Sequence, residues 1–80
     1  MNYNQNRKIA QITPKTLIIG VDIAKFKHVA RAQDFRGIEF GAPCYFDNTK
    51  EGFNHFLDWI YQLKQKQEMH QVIVGMEPTG

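Results

Sequence analysis

The sequence predicts an α/β fold: a four-stranded mixed sheet in the order third, second, first, fourth, with one helix. Three observations carry this. Two short runs, "TLIIGVDIA" and "QVIVGME", are apolar on both faces and read as strands. Between them lies "DNTKEGFNHFLDWIYQLKQKQE", whose apolar residues recur at helical spacing. The remaining stretch, Phe26 to Ala42, is broken by the turn signal "DFRG" (Asp34 to Gly37).

Each element has its own warrant. Thr16 to Ala24 is the first strand, and Phe26 to Gln33 the second, with Val29, Ala30 and Ala32 set among Lys27 and Arg31. Ile38, Phe40 and Ala42 alternate with Gly37, Glu39 and Gly41, which predicts a third strand directly after the turn. The helix is expected to start at Asn48 as N-cap, with Glu51 completing a capping box and Thr49 as the other candidate cap. Phe53, Phe56, Leu57, Ile60 and Leu63 form its apolar face, widened by Trp59, while Gly52 weakens the first turn slightly. Gln71 to Glu77 is the fourth strand, stopped by Pro78. The helical connection is long enough to return that strand parallel to the first. The fourth strand is then an edge whose Val72, Ile73 and Val74 invite pairing with another chain.

Length and composition bound the function. Eighty residues make one small domain, with residues 1–15 read as a flexible arm and 16–80 as the folded part. The single cysteine, Cys44, excludes an internal disulfide and fits a cytoplasmic protein. The opening "MNYNQNRKIAQ" lacks the apolar centre of a signal peptide, and no apolar run reaches a membrane span. Residues 1–36 carry seven Lys or Arg against two acids, and residues 37–80 three against six. The basic first half suits a phosphate backbone or an ordinary solvated surface.

The residues that stand out are Asp22 and Glu77. Asp22 interrupts an apolar strand, where an unpaired buried carboxylate would cost several kcal/mol, about the effective interior-ion penalty. If the first and fourth strands are parallel neighbours, about 4.8 Å apart, both acids meet at the carboxyl end of the sheet. Paired acids repel unless protonated or bridged by a cation. A hard divalent ion such as Mg²⁺ takes oxygen ligands, and such ions support phosphoryl transfer. Lys25 and Lys27 are the weaker candidates, as contacts to nucleic acid. His28, His55 and His70 lack metal-ligand spacing, and Cys44 reads as a buried structural thiol.

The segments "IIGVDIAK", "NTKEGFNHFLDWI" and "VIVGMEPTG" together resemble the start of the DEDD transposases of the insertion-sequence-110 family, from about Leu17 to Gly80. The resemblance implies a ribonuclease H-like (RuvC-like) fold, with Asp22 and Glu77 matching the first two acids of a metal-binding tetrad. It implies Mg²⁺ or Mn²⁺ as cofactor and DNA strand cleavage and joining in transposition. The implied partners are DNA and a noncoding guide RNA, with self-association or pairing with a full-length transposase as a further expectation. In the family the other two tetrad acids and a serine domain follow the second motif, so the resemblance covers the first half of the nuclease domain. Glu39, Asp47, Glu51, Asp58 and Glu68 are not placed to substitute. This chain alone is therefore expected to be inactive. The rival readings are a non-catalytic nucleic-acid-binding or partner-pairing remnant, and half of a nucleotide-binding ATPase or sugar kinase. The last normally follows its acid with glycine and a hydroxyl residue, where this chain has Ile23, Ala24 and Lys25.

Overall fold

The computed structural model describes residues 12–78. The elements are β1 (Thr16–Ile23), β2 (Lys27–Gln33), β3 (Cys44–Asp47), α1 (Lys50–Lys66) and β4 (Gln71–Pro78). One mixed sheet runs β3-β2-β1-β4. β1 is antiparallel to β2 and parallel to β4, and β2 is antiparallel to β3. The expected strand order and the parallel return are both present. Most of the expected amino-terminal arm lies outside the described residues. Its last part is a turn against β1: the Thr16 N–H donates to Thr13 O at 3.0 Å, and the Thr13 N–H donates to Thr16 Oγ1 at 2.9 Å.

The third strand is not where alternation put it. The turn after β2 forms as the sequence indicates, and Gly37 takes φ +88 within it. Asp34 accepts from the backbone N–H groups of Arg36 (2.8 Å) and Ile38 (3.0 Å), and its other oxygen from the Arg36 guanidinium. Beyond it only the bridge Gln33↔Glu39 forms. An unbroken ladder would set Ala30 opposite Ala42, yet Ala30 faces Cys44, two residues further on. Gly41 at φ +60 and Pro43 explain the interruption. A left-handed residue turns the chain out of the ladder, and a proline cannot donate to it. Pairing resumes over Cys44–Asp47 and brings Cys44 and Phe46 into the core.

The helix starts one residue later than expected. Thr49, not Asn48, is the N-cap, in extended conformation with its hydroxyl accepting from Gly52 N–H at 2.9 Å. Asn48 instead fastens the β1–β2 turn: its N–H donates to Phe26 O at 2.9 Å and its side chain to Lys25 O at 3.4 Å. At the other end Glu68 adopts φ 54, a left-handed backbone that is unfavourable by about 1–2 kcal/mol without glycine. Two bonds offset this. Glu68 N–H donates to Gln65 O and Met69 N–H to Lys64 O, the pattern of a Schellman closure. The N–H groups of His70 and Gln71 then both reach Lys15 O, which starts β4 beside β1.

The core lies on one face of the sheet. Leu17, Ile19 and Val21 of β1, Ala30 and Ala32 of β2, and Cys44 and Phe46 of β3 are buried there with Phe56 of α1. The Phe46 and Phe56 rings stack at 4.4 Å, and Trp59, Ile60 and Leu63 pack around them half-buried. The helix is rotated from its expected face, because Phe53 and Leu57 stay exposed. Among the described residues only one side of the sheet is covered, since the single helix packs on the Leu17–Val21 side.

Two consequences can be measured. A Cβ on Gly52 would come within 2.8 Å of the Asp47 backbone nitrogen and closer still to its carbonyl oxygen. Gly52→Ala should therefore destabilise by about 1–3 kcal/mol, the range for overpacking, despite alanine's better helix propensity. A higher urea midpoint would contradict this. For Asp34, burial alone pushes the carboxyl up, but its hydrogen bonds from Arg36 and Ile38 and the Arg36 charge outweigh that and hold it below its usual 3.8. A carboxyl depressed by folding contributes stability above its unfolded value, and loses it as pH falls through the folded one. Asp34→Asn should remove that share of the acid sensitivity below about pH 4, a range set by the ordinary carboxyl value, read as a flatter plot of unfolding midpoint against pH.

Candidate functional site

The parallel pair β1–β4 decides which side chains share a face. Ile18 is paired with Ile73, Gly20 with Gly75, and Asp22 with Glu77. Leu17, Ile19 and Val21 point into the core, so the alternate residues of β1 occupy the opposite, uncovered face. Along that face runs a shallow groove of about 450 Å³. Ile18 and Ile73, both half-buried, form one end, and Asp22 and Glu77 the other. Between them the two glycines leave bare backbone. A Cβ on either would meet nothing within 4 Å, so the space is open.

Asp22 and Glu77 are thus register partners at the carboxyl ends of two parallel strands, and both are exposed. Exposure removes the penalty expected for a buried Asp22, because water solvates the acid on the open face. Adjacent strands about 4.8 Å apart hold the two carboxylates as neighbours. As a donor set they fit a hard divalent ion that keeps several waters. Among the described residues no three His, Cys, Asp or Glu side chains gather into a larger cluster. Arg31 faces Gly20 across the β1–β2 ladder and lies 3.9 Å from Glu39, so its charge is already partnered along the groove wall.

The lysines differ from each other. Lys27 is bound to Asp47 at 3.1 Å, on the β2–β3 side of the molecule. Lys25 sits in the turn just past the Asp22 end of β1, its Nζ 5.2 Å from the ring of Phe26. Lys25 is three residues beyond Asp22 in the chain, and no ion pair occupies it among the described residues. His55 and His70 are exposed. Cys44 is buried, and burial pushes its thiol above 9.0, which keeps it protonated and unreactive.

Two features carry weight that sequence reasoning did not assign. The first is the pair Gly20 and Gly75, each two residues before its acid and hence on the same face as it. Their signal was the shared spacing in "GVD" and "GME". The second is His28, buried against Phe46 at 5.2 Å between ring centroids. Its Nδ1 accepts from Ala24 N–H at 3.1 Å, which places the ring proton on Nε2 and pins the turn beyond Asp22. No sequence signal distinguished it from a surface histidine. His28→Phe should keep the ring contact but remove the acceptor of the Ala24 N–H, at a cost of about 0.5–1.5 kcal/mol, the net worth of one hydrogen bond, because water reaches the exposed Ala24. Faster amide exchange at Ala24, with β1 protection retained, is the expected result.

Comparison with known protein-family models, curated proteins and solved structures gave no match.

Proposed function

We propose that this chain is the first half of a ribonuclease H-like nuclease domain of an insertion-sequence-110-type DEDD transposase. In this reading Asp22 and Glu77 are two of the acids that hold Mg²⁺ or Mn²⁺ against a DNA backbone. The observation that supports it is the pairing of Asp22 with Glu77 at the carboxyl ends of β1 and β4, in a 3-2-1-4 sheet. That arrangement agrees with the motif resemblance.

The residues present fit part of such a centre. Asp22 and Glu77 would supply one carboxylate each, and water would fill the rest. A bound divalent ion supplies charge stabilisation for attacking and leaving oxygens in phosphoryl transfer. The chain's own part is to fix the two acids on rigid strands, keep the groove floor open at Gly20 and Gly75, and offer Lys25 toward phosphate. With two acids where the family uses four, strand cleavage by this chain alone is not expected.

The basic balance of residues 1–36, seven Lys or Arg against two acids, supports a second reading, a non-catalytic nucleic-acid-binding module. Manganese titration followed by electron paramagnetic resonance separates the two. Under the first reading the chain binds Mn²⁺, and Asp22→Asn and Glu77→Gln each weaken binding at least tenfold, the scale on which even outer-shell partners act. Binding that persists in the double variant, or no binding in the unmodified chain, would leave only the second. Incubating the chain with DNA and Mg²⁺ should give no cleavage. Activity abolished by Asp22→Ala would contradict the half-centre assignment.

A further inference from the structure

The β1–β2 turn, Ala24-Lys25-Phe26, lies at the end of the sheet that carries Asp22 and Glu77. The Phe26 ring is 73% exposed. A ring left in water gains nothing from the core, yet the backbone beneath it is tied down by three bonds. Ala24 N–H donates to His28 Nδ1 at 3.1 Å, Asn48 N–H to Phe26 O at 2.9 Å, and the Asn48 side chain to Lys25 O at 3.4 Å. The turn therefore holds the ring out in a fixed place. Among the described residues no other ring packs on it. The Lys25 ammonium lies over one side, 5.2 Å from the centroid, and leaves the other face free.

We propose that Phe26 is a stacking platform for an unpaired base of single-stranded DNA, with Lys25 on the adjoining phosphate. The proposal rests on the metal-site reading of Asp22 and Glu77 for where the backbone runs, and on the turn itself for the stack. Sites for single strands combine aromatic faces with cations, because every base has a π face and every linkage a phosphate. Inside a duplex those faces are covered by the neighbouring base pairs, so an exposed ring selects the unpaired strand. Asp22 faces Val29 across the β1–β2 ladder, and Phe26 is three residues from Val29, about 10 Å at the rise of a strand. A strand with a phosphate at the acids thus passes the ring with a neighbouring base.

The local charges set the conditions. Lys27, next in the chain, is held by Asp47 at 3.1 Å, so that pair adds no net charge. Asp22 and Glu77 repel a phosphate unless a divalent ion neutralises them, and with one bound Lys25 is free to meet the backbone. Binding is accordingly measured with Mg²⁺ present. Phe35 gives the contrast. It too is exposed with a cation over its ring, Arg36, but that guanidinium is bound to Asp34 at 2.8 Å, and the turn lies at the other end of β2.

Fluorescence anisotropy of the full 80-residue chain with labelled oligothymidylate, in Mg²⁺ at low salt, should show tighter binding than with a labelled duplex of the same length. Phe26→Ala should weaken single-strand binding roughly 5- to 150-fold, the worth of one base–aromatic stack, with an unchanged circular dichroism spectrum. Phe26→Trp should keep the affinity, and the strand should quench its indole emission. Equal affinity for the two forms, no binding to either, or undiminished single-strand binding by Phe26→Ala would each overturn the proposal. So would a Phe26→Trp variant whose emission ignores the strand. An oligouridylate bound more tightly than the oligothymidylate would assign the ring to RNA and overturn the choice of DNA. Titrating Mn²⁺ into the same samples separates the stack from the metal reading, because Phe26→Ala should bind Mn²⁺ as the unmodified chain does. Mn²⁺ binding with strand binding indifferent to Phe26 refutes the stack alone. Phe26-dependent strand binding without Mn²⁺ binding upholds the stack and refutes the metal reading alone.

Discussion

The parallel pairing of β1 with β4 is the constraint on which the rest of the arrangement depends. Parallel neighbours cannot be joined by a tight turn. The chain between them must therefore leave the sheet, and here it does so through α1. Where it returns is set by a few bonds: the closure around Glu68, and the His70 and Gln71 N–H groups meeting at Lys15 O. A slip of one residue would turn every side chain of β4 to the other face. Glu77 would then lie on the helix side and Asp22 would face Met76 or Pro78. The candidate site is thus a property of the register, held at the end of the strands opposite to the acids.

The molecule treats its acids in two ways. Asp34 is almost fully buried and saturated, with two backbone N–H groups and an Arg36 guanidinium on its oxygens. It is a structural carboxylate, and its partners are within four residues of it. Asp22 and Glu77 are solvated, and no helix covers their face among the described residues. A carboxylate held by its neighbours has no capacity left for a ligand. Two solvated ones on adjacent strands do.

Much of this was legible in the sequence. The apolar runs at Leu17 and Val72 and the helical stripe around Phe56 fixed the element types, and the length of the helical connection implied the parallel return. What the pattern could not supply was decided by local backbone chemistry. The alternation over Ile38 to Ala42 is real, but Gly41 and Pro43 override it and move β3 to Cys44. Asn48 and Thr49 are equally good caps by type, and the need to tie down the β1–β2 turn draws Asn48 away. Apolar residues on both faces of β1 suit a strand covered on both sides, while the one helix covers one of them and leaves Ile18 half-buried on the open side. The acids were found because they broke a pattern. The glycines beside them were overlooked because glycine in a strand is usually read as weakness.

Those glycines set stability and access against each other. Neither Gly20 nor Gly75 has the positive φ that demands glycine, and neither is crowded by a neighbour. Fold physics alone would favour a β-branched residue at both, since glycine weakens a strand interior. A stabilised variant designed from the backbone would therefore fill both positions. It would gain strand propensity and lose the groove between the isoleucine floor and the acids, while every hydrogen bond of the sheet stayed in place. Spectroscopic measures of folding would report an improvement at the same moment that the open face became a closed one.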